Sequence, residues 1–494
     1  MDETVPANEI ASLNEIEAAE LASPETAKSD AEQTSSEAEY ERFIWANLRR
    51  NYAANYLHGM LGMTGFRLVN APTFVPAYLY LLASHSRGFL PVGLRMLASP
   101  NAIVGLGLSL QQVGQVVSPI IGAAQIEHRK RVLPASILMG TMMRVQILGM
   151  AIAGWFFSGA PLLLAMLFFL LLLGLFSGAQ RVAFQLVLGK VIPFSRRGRL
   201  QAWRNFTGGI IAAALTYAAG RYIIGAGAIS VPAHLFGFNV FKNGYSTTFF
   251  LAFVLTSLGL TAFQLLIREP DPPKVRPRMK VGDRLRGLPA LLRSDRGFAF
   301  FMLAQTCAVA GRIAAPFYIL YAGATLHSLS GATLGIFGLA NLGADTASNL
   351  LWGYLGDKSG FRSSFLIALL FWIGGTVLLI FSHTMPAFFL AFAFLGAASS
   401  GYQMSSQTMV LEFGLREDMA MRLAFSSTAE GVMSSLGPLI GGLIAAFAGY
   451  LMVFYTSIGF EVVALAIVVF MVEEPRKRRM LGFNDPPPDA KPSA

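Results

Sequence analysis

The chain has 494 residues, 54% of them hydrophobic and only 13% charged, with a mean hydropathy of +0.54 and a formal net charge of +10. A water-soluble domain carries about 25% charged residues, so this composition excludes an ordinary cytosolic enzyme, a disordered chain and, despite the positive balance, a nucleic-acid-binding protein. Lipid is the expected main solvent. A single cysteine, Cys307, excludes an internal disulfide and any cysteine-based zinc or iron–sulfur centre.

Residues 1–41 hold twelve acids and one lysine, Lys28. This stretch is rich in Glu, Ala and Ser and is expected to be a disordered acidic tail. It lacks the basic start and apolar run of a signal peptide. Beyond it the hydropathy pattern predicts twelve apolar helices, each near the ~20 residues needed to cross a hydrocarbon layer of about 30 Å. They fall near 57–84, 100–124, 132–157, 161–190, 200–224, 246–267, 298–322, 331–354, 362–383, 386–411, 420–447 and 450–472. Pro72, Pro76, Pro119, Pro316 and Pro438 lie inside them. Membrane bundles accept this because neighbouring helices re-satisfy the freed carbonyls.

Lysines and arginines in the connections set the orientation. One face collects 28 of them, including Arg49, Arg50, Arg129, Lys130, Arg131, Lys190, Arg196, Arg197, Arg199 and Arg204. The other face has only Arg87, Arg95, Arg221 and Lys242. This asymmetry predicts an even number of crossings with both termini in the cytoplasm. The connection 268–297 divides the chain into blocks 42–267 and 298–472, followed by a basic, proline-rich tail, 473–494. It opens with Pro270, Pro272, Pro273 and Pro277, an extended linker. It closes with Leu285, Leu288, Leu291 and Leu292 at helical spacing among arginines, a short helix expected at the headgroup boundary. Segment 40–52 reads the same way. The connection 225–245, with Leu235, Phe236, Phe238 and Phe241, is expected to fold onto the opposite surface. All six histidines are expected near segment ends, His58 and His128 on the basic face.

Two matches at similar offsets point to duplicated halves. Glu127 with Arg129–Arg131 precedes Asp357 with Lys358 and Arg362 by 230 residues, and Ser177-Gly178-Ala179-Gln180 precedes Ser400-Gly401-Tyr402-Gln403 by 223. The stretch Gly353-Tyr-Leu-Gly-Asp357-Lys358-Ser-Gly360-Phe-Arg362 resembles the loop signature G-x-x-x-D-[RK]-x-G-x-[RK] of the major facilitator superfamily. The resemblance covers residues 50–475. It implies an all-α membrane protein of twelve transmembrane helices in two pseudo-symmetric six-helix bundles. It also implies a secondary transporter in the plasma membrane, the inner membrane if the source is bacterial, working as a monomer without cofactor or metal. Gly353, Asp357, Lys358 and Arg362 are then expected at the gate on the basic face, with Glu127 and Arg131 as the first-half copy. That copy departs from the pattern: Ala123 stands at the first glycine, Glu127 at the aspartate and Lys130 at the second glycine. In the second half Gly437, Gly441, Ala445 and Gly449 recur every four residues, a stripe expected to pack helices closely.

Ionisable residues inside the membrane cost several kcal/mol and face the bundle interior. Seven are expected there: Arg67, Arg144, Arg181, Arg312, Asp345, Glu430 and Glu461. By the resemblance, helices 1, 4, 7 and 10 line a central cavity. Arg67, Asn70, Gln180, Arg181, Gln185, Arg312, Gln403 and Gln407 are therefore the expected substrate-binding residues. Arg144 and Glu461, on outer helices, are expected to be structural. Cavity arginines favour an anionic or strongly polar small molecule, since guanidinium grips carboxylate or phosphate through a two-pronged fork. Glu430, with Asp345 second, is the expected proton-coupling group, because a carboxylate can gain and lose a proton as the cavity changes sides. Efflux of drugs or metabolites, or a receptor without flux, are the alternatives. An enzyme would need intramembrane histidines or paired carboxylates, and an ATP-driven pump a phosphate-binding loop; the sequence offers neither.

Overall fold

The computed structural model describes residues 38–70, 72–86, 99–126, 129–225, 233–235, 238–240, 242–271, 295–413 and 419–473. The acidic tail up to residue 37, the leucine-rich end of the central linker, Glu127, His128 and the basic C-terminal tail lie outside the described residues.

Twelve helical spans follow one another. The first is two helices, Leu48–Val69 and Phe74–His85, separated by a break at Asn70–Thr73. The second to sixth are Pro100–Ile126, Leu133–Phe156, Gly159–Val191, Phe194–Ala218 with a wider π turn at Ala219–Ile224, and Gly244–Leu266. The seventh joins Arg296–Gly311, a tight 3-10 turn Arg312–Phe317 and Tyr318–Thr325. The last five are Gly331–Ser359, Phe361–Phe381, Met385–Glu412, Met419–Ala448 and Tyr450–Met471. Eight of these are long and apolar enough to cross a membrane by composition alone. The first, second, fifth and eighth are not among them.

The first span starts nine residues earlier than the hydropathy pattern predicts. Its opening is polar, but the polar groups are matched internally: Asn51 exchanges hydrogen bonds with Arg268, Asn55 donates to the Asn51 carbonyl, and Tyr56 donates to Thr207. His58 lies in the same opening stretch. It is buried between the rings of Phe184 and Phe263, with centroids 5.3 and 4.7 Å away. The connection expected to fold on the far surface holds a short antiparallel pair, β1 (Ala233–Leu235) with β2 (Phe238–Val240).

Equivalent glycines in the two halves do equivalent work. In the fourth span, a Cβ on Gly174 would lie 2.0 Å from the Gln111 carbonyl oxygen; in the tenth, one on Gly396 would lie 2.0 Å from that of Asn341. The partners are displaced by 230 and 222 residues, close to the two sequence offsets. The outer spans are pinned by satisfied charge. Arg144 of the third donates to the carbonyls of Thr256 at 2.7 Å and Gly140 at 2.6 Å, tying the third span to the sixth.

The halves meet along two seams, and both are tightest away from the basic face. Between the second and eleventh spans, Asn101 reaches the Ala445 carbonyl and Tyr450, and Gly105 is so close to Pro438 and Gly442 that a Cβ would lie 2.2 Å from the Pro438 oxygen. Gly441 packs on Ile313 and Phe317. Gly449 does not extend that stripe: it has φ 82 and makes the turn into the twelfth span. Between the fifth and eighth spans, Gly220 lies against Gly331 and Gly335, with space for no side chain. Toward the basic face these backbone contacts give out, and among the described residues Leu350, Leu351 and Tyr354 of the eighth span are between 53 and 70% exposed. Among the described residues, the backbone-to-backbone contacts between the halves lie on the side away from the basic face.

Replacing Gly220 with Leu is expected to wedge the seal. With Cys307→Ser and spin labels at His85→Cys and His327→Cys, double electron–electron resonance should then gain a longer-distance population that the parent lacks.

Candidate functional site

The seventh span tightens at Arg312–Phe317 because Pro316 has no N–H to return to the Arg312 carbonyl. Pro72 and Pro76 stand in the same relation to the break in the first span. These two interruptions face each other across a cavity of about 440 Å³. Asn70, Pro72, Val75 and Pro76 line it from the first span, and Val309, Arg312, Ile313, Ala315 and Pro316 from the seventh. Arg181 enters from the fourth span, Gln403 from the tenth, and Met433, Ser434, Gly437 and Pro438 from the eleventh. The second span adds Leu108, Gln111, Gln112 and Gln115.

Among the described residues, formal charge in this lining comes from Arg181 and Arg312, one from each half. Arg181 is held by Gln115 Oε1 at 3.5 Å. Arg312 lies over the rings of Trp372 and Tyr402, at 5.4 and 5.7 Å from their centroids. Such stacking steadies a guanidinium without neutralising it. Behind Arg312 the chain of contacts reaches a carboxylate. The Tyr402 hydroxyl donates to Glu430 Oε1 at 2.6 Å, Gln305 Nε2 donates to the same oxygen at 2.7 Å, and Ser426 donates to Gln305 Oε1 at 2.9 Å. Glu430 therefore belongs to the layer behind the cavity and is joined to it through Tyr402.

The remaining expected residues take other places. Arg67 does not line the cavity; its guanidinium pairs with Asp345 at 2.7 Å, joining the first span to the eighth across the two halves. Thr346 beside it is the contact point of Gly209 in the fifth span. Gln180 is buried against Gly140 and the Arg144 guanidinium and is turned away from the cavity. Gln180 and Arg181 are about 100° apart on the helix, and here that rotation turns Gln180 to the third span while Arg181 enters the cavity. Gln185 and Gln407 are exposed one turn beyond Arg181 and Gln403, toward the open face. Glu461, buried at 1% exposure, accepts from Ser457 and packs on Gly311 immediately before Arg312.

The sequence reading missed Gln111, Gln112, Gln115 and Ser434. The spacing of Gln111 and Gln115, one turn apart inside an apolar stretch, marks a polar face that could have revealed the second span as a cavity wall.

At the open face, Gly360 has φ 86 and turns the eighth span into the ninth, a conformation that explains the second glycine of the loop signature. Lys358 lies over the Tyr354 ring, and Asp357 is exposed. Arg362 donates to the carbonyls of Val468 and Val469 at 3.0 and 3.1 Å, fastening the ninth span to the twelfth. Gly353 lies beside Met404. In the first half Glu269 caps the third span, accepting from the backbone of Val132 and Leu133 at 2.8 Å and from Lys190 at 3.0 Å. Arg131 pairs with Asp271 at 3.0 Å, and its hydrogen bond and charge hold that carboxyl below the ordinary carboxylate range.

Breaking the cross-half ion pair should weaken the observed packing. Asp345→Asn or Arg67→Gln alone is expected to cost about 3 kcal/mol. The exchanged pair Arg67→Asp with Asp345→Arg should recover part of it, as read by a double-mutant cycle of thermal unfolding.

Residues 301–492 match the family model of the Major Facilitator Superfamily. Among curated protein sequences nothing matches the chain. Solved structures of similar fold include a D-xylose–proton symporter, with 13% identity and a TM-score of 0.64 over 87% of this chain and 99% of that one. The nucleoside transporter NupG has 12% identity and a TM-score of 0.61, covering 86% and 100% of the two chains. The human organic anion transporter MFSD10 has 14% identity and a TM-score of 0.55, covering 85% and 99%. At these identities the likeness is one of fold.

Proposed function

From the match of residues 301–492 to the Major Facilitator Superfamily model and the shared fold, we propose that this multi-pass membrane protein is a transporter of that superfamily and moves a small anionic or strongly polar solute by alternating access, coupled to protons. The observation that carries the substrate class is the pair of guanidiniums, Arg181 and Arg312, as the sole formal charges in the cavity lining among the described residues. They come from opposite halves. A carboxylate or phosphate gripped by both would bridge the halves and favour closure around itself. The amides of Asn70, Gln111, Gln115 and Gln403 add donors and acceptors that suit hydroxyl groups on the same solute. The volume suits a single metabolite.

With the basic face in the cytoplasm, the sealed seams lie outside and this conformation is open inward. Glu430 is the proton carrier in this reading. As a carboxylate it draws the Tyr402 hydroxyl and the Gln305 amide to one oxygen; once protonated it accepts more weakly, which frees Tyr402, the ring under Arg312. Loading of Glu430 and grip on an anion are thereby linked through one side chain. Asp345, paired with Arg67 across the halves, acts as a latch on the conformation. Asp357, Lys358 and Arg362 belong to the gate on the cytoplasmic side, closed only in the outward-open state.

A thermal-shift screen of the purified protein against metabolites identifies the solute, since a ligand of the native state raises the midpoint. Arg181→Gln and Arg312→Gln should then each lower affinity ten- to hundredfold, the worth of a charge-assisted hydrogen bond of about 1.5–3 kcal/mol. Unchanged affinity in both would remove the anion reading. In proteoliposomes, Glu430→Gln should abolish accumulation driven by a pH gradient while leaving solute exchange. Accumulation that persists in this variant would remove the proton reading.

A further inference from the structure

A second concavity lies outside the transport path, where the first and fifth spans begin. Arg49, Tyr52 and Tyr56 form one wall and Arg196, Arg199 and Trp203 the other, around about 720 Å³. On the fifth span, Arg204 turns inward to lie over Gly59 and the Phe184 ring, and Gly209 turns to the eighth span. Residues 196, 199 and 203 recur at helical spacing on a third face, away from both. None of the residues around this groove belongs to the lining of the central cavity. The groove thus opens on the flank of the bundle, where lipid lies.

Its chemistry is graded with depth. Arg49 and Arg196 stand in the first turn of their helices, and Trp203 lies about 10 Å further along the axis than Arg196 at 1.5 Å per residue. Among the described residues the groove lining contains three arginines and no acid. Among the described residues none of the three guanidiniums has an ion-pair partner, in contrast to Arg67, Arg131, Lys190 and Arg422, which all have one. Topology asks only for positive charge on this face; it does not ask for three guanidiniums converging on one groove with an exposed indole and two phenols beneath them. Trp203 is 52% exposed, a large apolar surface left uncovered by the protein at the depth where acyl chains begin.

We infer that the groove between the first and fifth spans is a binding site for an anionic phospholipid, its phosphate gripped by Arg49, Arg196 and Arg199 and its upper acyl chain laid along Tyr52, Tyr56 and Trp203. Arginine forks match phosphate oxygens, and the aromatic belt matches the glycerol and first methylenes. Because the fifth span also forms the inter-half seam through Gly209 and Gly220, a lipid held here braces one of the moving elements from outside.

The test is native mass spectrometry of the full-length protein in detergent with added phosphatidylglycerol or phosphatidylcholine. The parent should retain phosphatidylglycerol at least about tenfold better than phosphatidylcholine, and Arg49→Gln with Arg196→Gln and Arg199→Gln should lose that preference. A control with Arg42→Gln, Arg129→Gln and Lys130→Gln, which removes as many charges from the same face, should keep it. Trp203→Ala, which leaves the charges, should shorten retention severalfold and shows that any loss in the triple variant is not general misfolding. Inorganic phosphate should not displace the lipid. Equal retention in the parent and the triple variant overturns the proposal. So does displacement by inorganic phosphate, which would make this a soluble-anion site, and so does a preference that emerges only after residues 1–37 are deleted, which would assign the groove to the acidic tail.

Discussion

A guanidinium or carboxylate held at the depth of a bilayer must find its partners inside the protein, and that single requirement sorts the charged residues of this chain. Arg144 is satisfied by two carbonyls and ties together outer spans. Arg67 and Asp345 satisfy each other across the two halves. Arg422 pairs with Asp295, which also caps the seventh span through the backbone of Phe298. Among the described residues Arg181 receives a long amide contact and Arg312 two aromatic faces, and both line the cavity. The residues with complete sets of partners build the fold, and those with incomplete sets mark the place where a solute would complete them.

The same economy places the cavity. Helices are continuous wherever they face lipid or pack in the outer layer, and they break where Pro72 and Pro316 face the space between the halves. Breaking a helix in a membrane is tolerable only where the freed backbone faces protein or a water-filled cavity. Glycines supply the complementary feature. Gly105, Gly220, Gly331 and Gly442 bring backbones into contact on one side and impose no side-chain interlock, which suits seams that must separate and re-form.

Much of this was legible in the sequence. Hydropathy located all twelve spans, because lipid tolerates few exceptions to an apolar surface, and paired offsets revealed the repeat. Errors arose where polar side chains are satisfied internally. The opening of the first span, with Asn51, Asn55 and Tyr56, looks too polar to be helix in a membrane until its hydrogen bonds are seen. Gln180 was assigned to the cavity with Arg181, but only Arg181 enters the lining; Gln180 packs by Gly140 and Arg144, a contact with the third span that the sequence of the fourth does not display. The pairing of Arg67 with Asp345 joins residues from different halves, and no local pattern carries such a contact. The glutamines of the second span were overlooked because attention went to charge, while a neutral amide without a partner is also costly in lipid, though less so than an ion.

The central claim is that one cavity, bearing Arg181, Arg312 and Gln403, opens to one side of the membrane at a time. It is tested most directly by placing a sole cysteine at position 403, with Cys307→Ser and Gln403→Cys, and adding a membrane-impermeant maleimide from either side of sealed, oriented vesicles. The account predicts rapid labelling from the face that bears the basic loops and protection from the other. It also predicts that Asp345→Asn, which removes the cross-half ion pair, raises labelling from the second face. Equal labelling from both faces in the parent protein, or none from either, would contradict it.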